Sequence, residues 1–489
     1  MVTGSENSIV ATIVLVAFGI LGWGFYRARP LGKLGIYAWL QSVVLIAPWL
    51  VFFGFFAAGI YINIVGILFF IVASSGLYIY LGKQLRTAGQ DTILRQRATQ
   101  RIEAESLTSS ATEEEKIVGI PLPDEDLSAI RGIFGIDTFF ATETIPYQEG
   151  VVFKGNLRGE PEAVHNRLTA SLKSKLGDKY RLFLVENQEG KPVAIVLPSR
   201  NDPRPTTVVQ KIMAVVLLLA TIATSFEASG ILLGFDFFTQ PTRYPQVLPL
   251  ACGIFAVLAA HEIGHLLMAR RYQVRLAPPF FLPSVQIGSF GAITRFESLL
   301  LNRKVLFDIS LAGPAAGGIL SLLMLVAGLL LSHQGSLFQM PNEFFQGSIL
   351  VGTLARVVLG SAVQSSVVDV HPLTVIGWLG LVITALNLMP AGQLDGGRIV
   401  QAIYGRKTAG RATVATLLVL ALVSLANPLA MYWAIVIVFL QRDAERPSLN
   451  ELSEPDDARA ALGLLALFLM IATLLPLTPA LAGRLGIGG

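Results

Sequence analysis

Charge is scarce in this sequence. Only 14% of its 489 residues are Asp, Glu, Lys or Arg, against 53% apolar, and the mean hydropathy is +0.62. A water-soluble domain usually carries about a quarter charged residues, so a wholly soluble protein is excluded. Cysteine is nearly missing too. With Cys252 alone, no internal disulfide can form and nothing points to an oxidising compartment. Packing is the role expected of that thiol. The net charge of +4 is small for the length and gives no reason to expect a nucleic-acid partner.

Long uncharged apolar runs are what the chain has in quantity. Those of about 20 residues can cross a bilayer. They fall at 8–26, 35–57, 60–81, 212–234, 246–268, 305–331, 372–390, 412–440 and 459–480. The run 412–440 is interrupted at Asn427-Pro428, where proline removes a backbone donor, so it is one kinked helix or two half-spans. The expected fold class is a polytopic α-helical membrane protein of about eight or nine spans, with the lipid bilayer as its surroundings. The first eight residues hold Glu6 and no basic residue, and no small-residue cleavage pattern follows the first run. That run reads as a retained span, not a signal or transit peptide.

Between the third and fourth runs the character changes. Residues 83–207 hold 18 of the 33 acids and read as one small soluble α+β domain. A polar helix is expected at 92–107, then a linker at 108–115. Gly150–Leu157 is strand-like, and Pro161–Leu176 carries Val164, Leu168, Leu172 and Leu176 at four-residue spacing. Two alternating stretches, Tyr180–Glu186 and Pro192–Leu197, flank the turn Asn187–Gly190. His165 is expected on the solvated side of the helix. The division is thus 1–82, 83–207, 208–442 and 443–489. Short-loop Lys and Arg after the first, third, fifth and 372–390 runs place this domain in the cytoplasm. The same rule puts the C-terminal ends of 246–268 and 372–390 on one side.

The chemistry gathers in His261-Glu262-Ile263-Gly264-His265, near the end of the fifth run. Residues four apart on a helix share a face, so both imidazoles can reach one ion. Zinc takes neutral imidazole nitrogen, and Glu262 can stay off the metal and take a proton from water. The chain has five histidines, and two form this pattern with the glutamate between. Three ionisable side chains in one turn of a membrane helix are costly unless they pair or act.

A catalytic zinc needs a third protein ligand. Glu227, Glu297, Asp308, Asp369, His371 and Asp395 are the candidates at or near the membrane. Asp369 and His371 begin on the opposite side, Glu227 reads as a hydrogen-bonding acid, and Asp308 as a partner of Arg303 and Lys304. Glu297 is a rival to Asp395. Asp395 has the stronger context, because Pro390 and Gly392 break the helix before it and Gly396-Gly397 allow close backbone approach. A membrane transporter or a non-catalytic scaffold are the other classes open. No internal two-fold repeat supports the transporter, and a scaffold has no need of Glu262.

Together these residues resemble the site-2 protease family of intramembrane metalloproteases. That family joins HExxH to a later Asn-x-x-Pro-x-x-x-Leu-Asp-Gly, here His261 to His265 and Asn387 to Gly396, both complete. The resemblance implies His261, His265 and Asp395 as ligands of one zinc ion per chain, Glu262 as general base, and Asn387 near the developing oxyanion. It implies hydrolysis of peptide bonds in membrane-spanning or membrane-anchored protein substrates. It covers roughly 210–440 and includes Gly313–Gly317, small residues for close helix packing, and Gly288–Thr294, a re-entrant β-like segment. Gly155–Gly159 and Thr408–Thr413 are similar to the plastid and cyanobacterial branch of the family. A cyanobacterial plasma or thylakoid membrane is therefore expected, with the site toward the cytoplasm. No PDZ-like domain lies between the two motifs.

Overall fold

The computed structural model describes residues 122–477 apart from 148, 188, 426 and 442. It also describes 21–40 apart from 34, and scattered positions between 43 and 84 and between 482 and 487. The chain divides into two compact units, Met1–Lys116 and Ile117–Gly489. In the first, a helix over 21–28 ends in a tight turn at Arg29–Leu31, and the Trp39 indole donates to the Leu21 carbonyl at 2.9 Å. The expected spans at 35–57 and 60–81, the polar helix at 92–107 and the linker lie mostly or wholly outside the described residues.

The second unit starts with helix α1 (Asp124–Arg131), strands β1 (Phe139–Tyr147) and β2 (Gly150–Leu157), helix α2 (Pro161–Leu176), and strands β3 (Tyr180–Glu186) and β4 (Pro192–Pro198). The four strands form one antiparallel sheet in the order β1-β2-β4-β3. Helix α2 starts where the Glu160 side chain accepts from the Ala163 amide and Pro161 needs no donor partner. It stops at Gly177, whose φ of 60° suits glycine. Its Val164, Leu168 and Leu172 meet Phe153, Leu182 and Leu184 of the sheet in one apolar core. Sequence reasoning found α2 and three strands but passed over α1 and β1. Strand β1 carries a bulge between Ala141 and Glu143 and Pro146 near its end, which spoil the alternation. An edge strand tolerates both.

His165 departs from expectation. It is buried at 5% exposure, with Nε2 3.3 Å from the Leu182 carbonyl. It lies one residue from Val164, so the buried stripe is wider than the four-residue spacing implied.

Helices α3 (Val208–Leu232), α4 (Tyr244–Arg271), α5 (Arg303–Leu331) and α10 (Asp457–Leu474) are long and apolar enough to cross a membrane. Their outward residues, among them Ile212, Val215, Ile319, Leu323, Leu465 and Phe468, are exposed and apolar. Facing water, such a surface would aggregate; facing lipid it is at rest. The protein is an integral membrane protein. Cys252 sits on the outer surface of α4 and is not packed as expected.

Between α4 and α5 lies the hairpin of β5 (Phe280–Ser284) and β6 (Gly288–Ile293), packed against α3. Then come β7 (Phe338–Pro341), α6 (Ile349–Leu359), β8 (Val367–Val370), α7 (Pro372–Asn387), α8 (Asp395–Val423) and α9 (Pro428–Val436). Helix α7 is only 16 residues long and apolar all round, the pattern of a buried helix. It lies close against α5, and a Cβ on Gly377 would strike the Leu325 backbone, one on Gly328 the Thr374 backbone. The break expected at Asn427-Pro428 is present, with the Asn427 side chain capping α9 at 3.0 Å.

Candidate metal centre

Two segments 134 residues apart build the site. Helix α4 presents His261 and His265 from successive turns of one face, and both are buried. Asp395, also buried, opens α8 directly after the broken stretch Leu388–Leu394. That break is tight: a Cβ on Gly396 would strike the Leu388 carbonyl, and one on Gly397 the Gly392 carbonyl. Gly392 has a φ of 49°, and its amide donates to the Thr413 hydroxyl at 2.8 Å. These glycines let Asp395 fold back onto α4.

The donor atoms converge. His261 Nε2 lies 3.1 Å from Asp395 Oδ2 and 3.1 Å from His265 Nε2, and His265 Nε2 lies 3.4 Å from Asp395 Oδ2. Donors about 2.0–2.1 Å from a tetrahedral zinc stand about 3.3 Å from one another. The triangle has that size. The remaining ring nitrogen of His265, Nδ1, lies 2.8 Å from the Ile309 carbonyl. A proton on Nδ1 leaves the Nε2 lone pair for a cation, the usual tautomer of a ligating histidine. Two imidazoles and one carboxylate suit a borderline ion such as zinc. Among the described residues this is the one group of His, Cys, Asp and Glu close enough to hold an ion.

Small residues make room for it. A Cβ on Gly313 of α5 would run into the His265 ring, and one on Gly317 would sit 3.1 Å from the His261 Cβ. The Gly313–Gly317 segment thus packs against the two histidines themselves.

Glu262 is half-buried beside His261, and the Thr294 hydroxyl donates to its carboxylate at 2.9 Å. The Thr294 carbonyl accepts from Arg398 Nη2 at 2.8 Å, and Arg398 is paired with Glu445 at 2.8 Å. Both members of that pair are buried, at 5% and 9% side-chain exposure. Sequence reasoning missed Thr294, Arg398 and Glu445. The signal for Arg398 was its place one turn after Asp395; nothing local marks Glu445.

The Asn387 amide nitrogen donates to the Phe290 carbonyl at 3.2 Å and to the Ile383 carbonyl at 2.9 Å. It ties β6 to α7 at Gly291, where a φ of 104° and the pressure of the Asn387 amide exclude a side chain. His265, Asp395 and Asn387 line a small cavity together with Ala292, Ile293 and Thr294.

The rival acids are committed elsewhere. Glu297 accepts from the Thr206 amide at 2.7 Å and from the Thr206 hydroxyl. Glu227 accepts from the Phe237 and Phe238 amides at 2.9 and 3.1 Å. Asp369 accepts from the Gly335 amide, and His371 caps α7. Asp308 binds Arg459 at 2.7 Å and the Tyr272 hydroxyl, not the expected Arg303 and Lys304. Arg303 instead donates to the carbonyls of Ala402 and Ile403, both at 2.7 Å.

Known proteins supply the decisive comparison. Residues 249–426, which contain both halves of the donor cluster, match peptidase family M50. A protein of Arabidopsis thaliana named "Probable zinc metalloprotease EGY1, chloroplastic" is 39% identical over 394 residues, 73% of this chain and 72% of that protein. The chain belongs to peptidase family M50. The M50 region spans α4 to α8, with β5–β6 between, and residues 128–203 match the EGY3 middle domain. A second Arabidopsis thaliana relative, "Probable zinc metalloprotease EGY2, chloroplastic", is 39% identical over 371 residues, 74% of this chain and 67% of that protein. "Probable zinc metallopeptidase EGY3, chloroplastic", from the same plant, is 33% identical over 376 residues, 72% and 65% of the two chains. No solved structure matches the chain. One expectation falls here. The cyanobacterial plasma or thylakoid membrane, with the site toward the cytoplasm, is overturned by relatives named as chloroplastic plant proteins; the helices establish an integral membrane protein and no compartment. Positive-inside reasoning ranks the two sides of a membrane but cannot name the membrane.

Proposed function

We propose that His261, His265 and Asp395 hold the zinc of this M50 protease and that Glu262 is its general base. The chain is a zinc metalloprotease of a membrane-embedded family, acting on protein substrates. The observation that carries the residue assignment is the buried donor triangle, with sides of 3.1, 3.1 and 3.4 Å, assembled from α4 and the start of α8.

Zinc held by these donors would polarise the scissile carbonyl and activate water. Glu262 takes a proton from the attacking water and returns it to the leaving amine, with Thr294 fixing its carboxylate. Asn387 serves the developing oxyanion if the substrate displaces the Phe290 carbonyl from its amide. A helical substrate hides its carbonyls in its own hydrogen bonds, so it must unwind before it enters. The Ala292–Thr294 stretch beside the ligands is the natural place for the extended chain to lie.

The finer architecture belongs to the same reading. Eight or nine spans would include α7 and α9 and the N-terminal runs, and 83–207 would form the soluble part between 1–82 and the protease core 208–442, with 443–489 closing the chain.

Zinc per chain in detergent-purified protein tests the ligand set. About one equivalent is expected in wild type and in Glu297→Ala, with loss in Asp395→Ala. Zinc retained in Asp395→Ala would remove the third ligand and sink the assignment.

A further inference from the structure

Beside the catalytic cavity lies a cleft of about 520 Å³ that the chemistry above does not use. Three segments enclose it: 200–204, leading from the sheet to α3; 295–300, following β6; and 445–447. Gln393, two residues before Asp395, lines both this cleft and the cavity of the metal ligands. The two spaces therefore share a wall.

Charge in the cleft is unbalanced. Asp202 is paired with Arg181 at 3.0 Å, Glu445 with Arg398 at 2.8 Å, and Arg200 with Glu149 at 3.0 Å. Among the described residues, the Glu297 carboxylate is met by the neutral Thr206 amide and hydroxyl and by no cation. Arg204, Arg295 and Arg446 are exposed, and none has a carboxylate partner among the described residues. Three arginines without a carboxylate partner among the described residues thus line the cleft with one acid that has no cationic partner among them; Arg295 also reaches the neutral Gln210 side chain at 3.5 Å. A walled cleft with an excess of one sign concentrates its field on an incoming chain of the other sign. Guanidinium also matches carboxylate oxygens in a bidentate fork, which gives geometry as well as attraction.

We propose that this cleft receives an acidic stretch of the substrate, the residues flanking the cleaved segment where it leaves the catalytic cavity past Gln393. The proposal rests on the protease reading, because that reading places an extended chain at Ala292–Thr294, directly before Arg295. Phe296, Leu299 and Pro447 supply apolar wall for the side chains between the acids. Acidic flanks would then select substrates and hold the scissile bond in register while the catalytic groups act.

Fluorescence anisotropy on the full chain in detergent tests this without turnover. The probe is a fluorescein-labelled Gly/Ser peptide carrying five Asp and Glu residues, compared with the same peptide bearing Asn and Gln. The acidic peptide is expected to bind, and to weaken as salt rises. The triple variant Arg204→Gln/Arg295→Gln/Arg446→Gln is expected to lose at least tenfold in affinity, and Glu262→Gln to bind as wild type does. Equal binding of both peptides, or wild-type affinity in the triple variant, overturns the proposal. So does a triple variant that keeps the peptide but loses phosphatidylglycerol nanodiscs, since the cleft would then be a lipid-headgroup site. A failed zinc or cleavage assay falls on the protease reading instead, because anisotropy needs neither.

Discussion

At the scale of single residues, the candidate site is a chain of short tethers leading to Glu262. Thr294 holds Glu262, Arg398 holds Thr294, and Glu445 holds Arg398, at 2.9, 2.8 and 2.8 Å. Glu262→Gln is expected to lower kcat by about 10² to 10⁴ with zinc retained, since general-base catalysis contributes on that order. Thr294→Val keeps shape and removes one hydrogen bond to a charged group. A fall of about tenfold in kcat with KM unchanged is expected, and unchanged kcat would show that the tether is idle. Glu445→Ala leaves a buried guanidinium without its anion. The expected cost is about 3–5 kcal/mol, read as an earlier thermal unfolding transition in detergent. The misread residues belong to this scale as well. His165, Cys252 and Asp308 each have local sequence surroundings compatible with two environments, and only neighbours remote in sequence chose between them.

At the scale of elements, close helix packing and one broken helix make the centre. The α4–α5 contact depends on small residues at the crossing: a Cβ on Gly264 would strike the Ala312 carbonyl, and one on Gly313 the His265 ring. Gly313→Ala should drive a methyl into the His265 ring, so zinc per chain is expected to fall while far-ultraviolet circular dichroism stays helical. Full zinc occupancy in that variant would mean α5 can shift at little cost, against the tight packing seen here. Helix boundaries were legible where local chemistry sets them. Pro161 and Gly177 bracket α2, and Asn427-Pro428 starts α9. Strand β1 was not legible, because its bulge and proline are accommodated by its edge position in the sheet.

For the whole molecule, one extended strap ties the sheet to the protease helices. Leu184 of β3 and residues 449–451 exchange backbone hydrogen bonds at 2.8 and 2.9 Å, and the Leu449 and Asn450 amides donate to the carbonyls of Leu300 and Leu301 just ahead of α5. Glu445, which secures Arg398, lies four residues before that strap. The sheet is thus built into the same unit as the catalytic helices. Its stability should respond to acid. Burial holds the His165 imidazole below its ordinary value near 6.5. Unfolded chain takes up a proton there as pH falls through 6.5 and folded chain does so only at lower pH, so stability is lost on acidification. Protection of the Tyr180–Glu186 amides, corrected for the intrinsic exchange rate at each pH, should fall between pH 7.5 and 5.5, and His165→Phe should flatten the change. Equal pH response in the variant would assign the effect to other groups.

Sequence by itself determined what depends on local spacing and on composition. The four-residue interval from His261 to His265 puts two imidazoles on one helix face whatever surrounds them, and apolar runs without charge demand lipid or a large core. The motif around Asp395 announced a broken helix, since proline and glycine act on their own backbone. Tertiary structure decided which acid stands beside the two histidines. Glu297 and Asp395 were both open until folding gave the first to Thr206 and brought the second to within 3.1 Å of His261. It also decided the tethers behind Glu262 and the arginine cleft, because each joins segments whose separation in sequence carries no local signature. Distances between remote residues are a property of packing, and packing is settled by the whole chain at once.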